Sequence, residues 1–484
     1  MYEHNERQMI MPDEFFLPFG GRLNPNNRWA VMANLIPWSK LEDEYVQLLN
    51  DSTRGNKAYS VRTALGALII KERLGLSDRE TVEQITENPY LQYFIGLSSF
   101  QEEAPFHAST MTYFRKRLDA SIVNQVNEWI VEEQTKRDQD DDDDSDNDHK
   151  GTGGSHGDKS NQGTADSLPN QGKLMMDATC APADIAYPTD LNLLNQAREK
   201  LEAMIDTLHE PLKGERRKPR TYRKKARKAY LAISKQKQPG RKNVRQAVGK
   251  QLNYVQRNLK HISFLVQQVG LSPLDKRQYG ELLVIQELTR QQQHMYDHKK
   301  HQIDHRIVSI HQPHVRPIVR GKTDANVEFG AKISVSMING YTTLDKLSWD
   351  AYHEGVYLQD SIEAYCRRHG TYPEAVLADQ IYRTRGNRRY CKERGIRLSG
   401  PKLGRPSKNA QENRLQKQIE YQDAAERNAI EGKFGEGKRS YGLGLISACL
   451  RVTSETVISI QFLVMNLEKI LRDTFLYVLY LMVE

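Results

Sequence analysis

The sequence predicts an α/β core that carries a large helical insertion and follows an all-helical N-terminal region. Three observations lead there. Apolar runs of strand length begin only at about residue 173, and helical periodicity marks the region before residue 138. A long polar helical stretch, about 191–305, separates the first strand-like run from those that follow.

The N-terminal region, residues 1–137, is read from its helix signals. VRTALGALIIKERL (61–74) repeats Val61, Leu65, Leu68 and Ile69 at helical spacing, and Gly75 ends it. Ser77-Asp78-Arg79-Glu80 is a capping box that opens a second helix through Val82 and Ile85. Helix, short turn, helix fits a helix-turn-helix that contacts DNA, and equally a plain helical hairpin that only packs. STMTYFRKRL (109–118) reads as a Ser-capped helix whose Arg115, Lys116 and Arg117 face a DNA groove.

Residues 138–172 form an acidic and Gly-rich linker. DQDDDDDSDND (138–148) is a run of like charges, which repel one another and stay solvated, and the polar stretch after it has no periodicity. From 173 to 484 the strand signals are KLMMD, EFGAKISVSMI (328–338), TTLDKLSW (342–349) and AVLADQIY, with a helix through DSIEAYCRRHG that closes at Gly370. The C-terminal FLYVLYLMVE is too short to span a bilayer and reads as a packed helix.

Composition narrows the function. With 484 residues the chain has room for two or three domains. A net charge of +8 favours a polyanionic partner. The charge is also sorted, for residues 213–250 hold sixteen Lys or Arg and one acid, Glu215. The segment from Arg216 to Lys228, with Arg217, Arg223, Lys224 and Lys225, is either a solvated helix or a surface that tracks phosphates. Four dispersed cysteines give neither a disulfide framework nor a cysteine zinc site, which suits a reducing cytosol. No secretory signal or membrane span is expected. His294, His298, His301 and His305, spaced by four, three and four, would share a helical face, as zinc ligands or as a solvated or DNA-facing stripe.

The chemistry is read from three acids. Asp177 ends one apolar strand-like run and Asp379 ends another, and carboxylates at the carboxyl ends of neighbouring strands can converge. In ERNAIEGKFGEGKRSYGLG (426–444), Arg427, Glu431 and Lys438 fall on one helical face. That face holds either a single ion pair or a carboxylate that meets a metal between two phosphate-binding cations. Three carboxylates from separate segments suit two Mg²⁺ or Mn²⁺ ions acting on a phosphodiester, with Arg427, Lys433 and Lys438 on the phosphate.

The blocks MDATCAPADIAYP, RIVSIHQPHVRPIVRGK, VEFGAKISVSMINGYTTLDKLSWDAYHEG, VLADQIYRTRGNRRYC and ERNAIEGKFGEGKRSYGLG resemble those of bacterial insertion-sequence transposases with a DDE catalytic domain, within the four/five grouping. LPFGGRLNPNNRW and the hairpin ending in YFIGL resemble the N-terminal domain of the same proteins. Arg427, Glu431 and Lys438 match that grouping's Tyr, Arg, Glu, Lys signature, with Ala424 at the Tyr position. The resemblance implies a ribonuclease-H-like fold, a mixed sheet with helices on both faces, whose acids are Asp177, Asp379 and Glu431. It also implies cleavage at the ends of an element, joining of 3′ ends to target DNA, recognition of terminal inverted repeats in double-stranded DNA, and a homodimer or larger synaptic complex in the cytoplasm, at the nucleoid. Two other readings stay open. One is a DNA-binding repressor without catalysis, the other a nuclease that cuts without joining.

Overall fold

The structure, a computed structural model, describes residues 11–18, 20–47, 58–145, 169–319, 327–401, 404 and 409–481. Its N-terminal helices are α1 (Arg28–Leu35), α2 (Trp38–Gln47), α3 (Val61–Leu74), α4 (Asp78–Glu87), α5 (Pro89–Phe94), α6 (Thr110–Arg117) and α7 (Ala120–Ser145). Local chemistry sets their ends. Gly75 closes α3 at φ 66, a left-handed conformation that glycine takes without steric cost. In α4 the Ser77 hydroxyl accepts from the Glu80 N–H while the Glu80 carboxylate accepts from the Ser77 N–H. Ser109 departs from expectation. Its backbone is already helical and its hydroxyl bonds His107 Nδ1 at 2.8 Å, so it does not cap α6.

Residues 61–70 of α3 are all buried, which makes this helix the centre of the bundle. Arg62, only 2% exposed, donates to the carbonyls of Tyr93 and Phe94 there. α7 extends to Ser145, past the point at 138 where composition begins the linker, and residues 146–168 of that linker lie outside the described residues.

After β1 (Lys173–Pro182) the chain makes four helices, α8 (Asp190–His209), α9 (Arg223–Ser234), α10 (Arg241–Val269) and α11 (Lys276–His298). They enclose a core of their own that includes Leu201, Ile205, Leu252, Val255, Ile285 and Leu288. α11 ends at His298 because Lys299 turns left-handed at φ 55. His294 and His298 therefore stack at 4.2 Å, whereas His301 and His305 lie beyond the helix and His305 sits 3.3 Å from Asp350. The four histidines do not share a helical face.

The chain returns as β2 (Arg316–Val319), β3 (Val327–Ile338) and β4 (Tyr341–Ser348), then α12 (Leu358–His369), β5 (Ala375–Ala378), α13 (Arg385–Glu393), β6 (Arg397–Leu398), α14 (Ala410–Ser440) and α15 (Arg451–Leu481). The strands form one mixed sheet in the order β2-β3-β1-β5-β6, with β4 also on β3. β1 runs antiparallel to β3 and parallel to β5, which is parallel to β6. Asn339 and Gly340, at φ 50 and 81, make the two-residue turn between β3 and β4, whose mirror-image twist suits a hairpin. One sheet face, through Leu174, Met176, Val376 and Ala378, packs on Leu358, Ile362 and Tyr365 of α12. The other, through Ile333, Val335 and Met337, joins a core with α15 and the N-terminal helices. α15 reaches Leu481, so the C-terminal apolar run continues a helix; its last residues, 482–484, lie outside the described residues.

Candidate active site

Asp177 does not end a strand. Ala178, Thr179 and Cys180 are small or β-branched and go on pairing with Ser334, Ile333 and Lys332 of β3, so the carboxylate projects from mid-strand. β5, by contrast, stops at Ala378, opposite Met176. Asp379 follows as the cap of a short turn, its Oδ1 accepting from the Gln380 N–H at 2.6 Å. Side chains alternate along a strand, so Asp177 and Asp379 leave the face opposite to Met176 and Ala378. That face is the one α14 crosses. Ion pairs hold α14 there, Lys173 to Glu426 at 2.7 Å and Arg397 to Asp423, while Ile430, Phe434 and Gly437 are buried beneath it. A Cβ on Gly437 would lie 3.1 Å from Met465 Sδ, so this glycine serves close packing.

Asp177, Asp379 and Glu431 line one cavity of about 660 Å³, together with Arg427 and Lys438. Burial pushes the Asp177 carboxyl up to about 6. The Ala178 N–H at 2.8 Å and the Arg427 charge oppose that shift, and Glu354 and Glu431 add to it. Arg427 and Glu431 also form the ion pair of the simpler reading, at 3.3 Å.

Two charged residues of the cavity, Lys332 and Glu354, are not among the candidates read from the sequence. Lys332 of β3 bonds Glu354 at 2.7 Å and the Tyr352 carbonyl at 2.8 Å, and both Lys332 and Glu354 face the acids. A lysine among the apolar residues of EFGAKISVSMI was a usable signal, because a cation inside a half-buried strand needs a partner. Glu354 gave none; it looks like any surface acid.

The other candidate cations are placed elsewhere. Lys433, two residues past Glu431 and so on another side of α14, pairs with Glu436 at 3.0 Å. Arg115 is a correction. It is 8% exposed and grips Asp78 of α4 through two bonds of 2.9 and 2.6 Å, which tie α6 to α4 and leave it no reach to a groove. Arg117 donates to the Tyr45 hydroxyl at 3.3 Å, and Lys116 is the member of the trio exposed to solvent. In the basic segment Arg223 is tied to Asp206 and Glu202, whereas Arg216, Arg217, Lys224 and Lys225 are exposed.

The donor set at the cavity is oxygen only, which suits a hard divalent cation, and a cation beside Asp177 would offset its burial. As the side chains stand, no three His, Cys, Asp or Glu among the described residues are gathered closely enough to enclose an ion. Glu431 instead pairs with Arg427, and its side chain is 53% exposed.

Comparison with known proteins gives the family of the chain. The family described as "Transposase DDE domain" matches residues 376–468, which contain Asp379 and Glu431, and "Transposase domain (DUF772)" matches residues 18–117. A protein of Rhizobium meliloti, "Uncharacterized protein ORF8 in nfe locus", is 30% identical over 181 residues, 37% of this chain and 73% of that protein. No solved structure matches. The chain belongs to the DDE transposases of insertion sequences. That family implies DNA as a partner and divalent metal as a cofactor. Among the described residues no helix is long and apolar enough to cross a membrane.

Proposed function

We propose that this protein cuts phosphodiester bonds at the ends of its own element and joins the freed 3′ ends to target DNA, with Asp177, Asp379 and Glu431 as the catalytic acids. The observation that carries the reading is the shared cavity, lined by an aspartate of β1, an aspartate just past β5 and a glutamate of α14 together with Arg427 and Lys438. Two Mg²⁺ or Mn²⁺ ions held by the three acids would activate the attacking oxygen and stabilise the leaving one. The chain's own residues do the rest. Arg427 and Lys438 neutralise and orient the phosphate.

The strand order supports a ribonuclease-H-like catalytic domain. β4, β3 and β1 are antiparallel neighbours and β5 and β6 follow in parallel, with the aspartates on β1 and just after β5. On this reading residues 1–137 are the DNA-binding domain, 138–172 the linker, whose first residues continue α7 to Ser145, and 173–484 the catalytic domain. Arg216, Arg217, Lys224 and Lys225 contact phosphates outside the cavity. The protein is a four/five-group enzyme that acts as a homodimer or larger synaptic complex on terminal repeats in the cytoplasm.

The test supplies purified protein with DNA carrying both flanks of its gene and a supercoiled target, in Mg²⁺. Cut ends joined to the target are the expected products. Cutting without joining would replace the transposase with a nuclease. Binding without cutting would replace it with a repressor.

A further inference from the structure

Three concavities adjoin one another in sequence, each sharing lining residues with the next. Val319 lines both the acidic cavity and a second cleft of about 930 Å³ between the sheet edge and the helical insertion. Lys300 and His301 line that cleft and also a third, of about 830 Å³, beside the start of α10 and the end of α11.

The lining changes character along this channel. In the second cleft Tyr187 is 75% exposed and stands edge-on to Phe329, with ring centroids 5.7 Å apart. Asp190, an acid of the same cleft, is already neutralised by Arg306 at 2.7 Å. The third cleft adds Arg241, Lys242 and Lys299, which form no ion pair with the described residues. The basic segment around Arg216 shares no lining residue with this channel.

We propose that the channel carries the single-stranded part of a DNA end away from Asp177 and Asp379. An unpaired base stacks on Tyr187, and Lys299, Lys300, Arg241 and Lys242 follow the backbone. The ring argues for a single strand, since bases inside a duplex have their faces covered by neighbours whereas an exposed aromatic beside a basic wall suits unpaired ones. This inference rests on the transposase reading above.

The test measures binding of full-length protein, without divalent ions so that nothing is cut, to labelled duplexes from the element's ends. One duplex is blunt and one carries a short single-stranded extension. Wild type is expected to bind the extended end more tightly. Tyr187→Ala should weaken binding to the extended end by about tenfold. Lys299→Glu with Lys300→Glu should lower the slope of log affinity against log salt by about 1.4, at about 0.7 for each lost single-strand phosphate contact. Both variants should bind the blunt duplex as wild type does, which also reports that they fold. Equal binding of the two duplexes by wild type, or variants that leave the extended end unaffected or weaken both ends alike, would overturn the channel and leave the transposase reading in place. If wild type binds neither duplex, the proposed function fails and the channel with it.

Discussion

Met176 of β1 lies opposite Ala378 of β5 in parallel register, so the next residue of each, Asp177 and Asp379, stands on the same face of the sheet. One strand continues and the other stops. The continuing strand half-buries its acid, and the stopping strand leaves its acid exposed at a turn.

Glu354 is the fourth carboxylate of the cavity, tied to Lys332 and close enough to add to the shift of Asp177. Outer partners of metal ligands cost about 10–100-fold when removed, and on the proposed function Glu354 shares the cavity of the three ligating acids. Glu354→Gln should therefore slow cleavage by about tenfold or more and raise the Mg²⁺ needed for half-maximal rate. A variant that cuts like wild type at every Mg²⁺ concentration would reduce Glu354 to a surface acid.

Arg115 serves the fold. Arg115→Met leaves Asp78 partly buried without its partner and should cost about 2–3 kcal/mol of stability in denaturant titration. The salt dependence of DNA binding should not change, because no phosphate contact is lost. A shallower salt slope would restore this arginine to the DNA interface.

Gly330 sits where β1, β2 and β3 meet, and a Cβ there would fall 2.1 Å from the Ala181 carbonyl oxygen. Backbone cannot yield as a flexible side chain does. Gly330→Ala should destabilise the protein by about 3 kcal/mol or more, readable as a lower Tm. An unchanged Tm would mean that the strands are farther apart than described.

His314 packs edge-on against Trp349 at 4.3 Å. Burial pushes its ring down to about 4, the Arg451 and Arg316 charges adding to the fall and Glu455 opposing it. The folded value lies below the ordinary one, so the fold holds the ring neutral. The stability this gives is complete above about 6.5 and is lost as pH falls from there toward about 4. His314→Gln should lower Tm at neutral pH through lost packing yet flatten its decline on acidification. An equally steep decline would assign the acid sensitivity to another group.

Much of this molecule is legible in the sequence because its signals are local. The Ser77–Glu80 capping box, the closures at Gly75 and Gly370, and the strands β3 and β4, each read to within a residue at its ends, all come from short-range chemistry. The helical face of Arg427, Glu431 and Lys438 was readable for the same reason, since spacing alone fixes it. What was not legible depends on partners distant in sequence. Arg115 looks like a groove cation until Asp78 of α4 closes on it. The end of α11 at Lys299 has no glycine or proline to announce it, so the histidine stripe ran on in the sequence and not in space. Asp177 was taken as a strand end because a charge follows an apolar run, whereas β3 supplies pairing for five more residues, to Pro182.

On the proposed function Asp177, Asp379 and Glu431 act as one metal-dependent centre. Its most direct measurement is strand cleavage on labelled DNA containing the element's ends, in Mg²⁺, by wild type and by Asp177→Asn, Asp379→Asn and Glu431→Gln separately. The prediction is discrete Mg²⁺-dependent cuts by wild type, and three variants that bind the same DNA equally well but cut at least about a thousandfold more slowly. Any one of the three cutting at the wild-type rate would remove its acid from the centre and overturn the three-acid assignment.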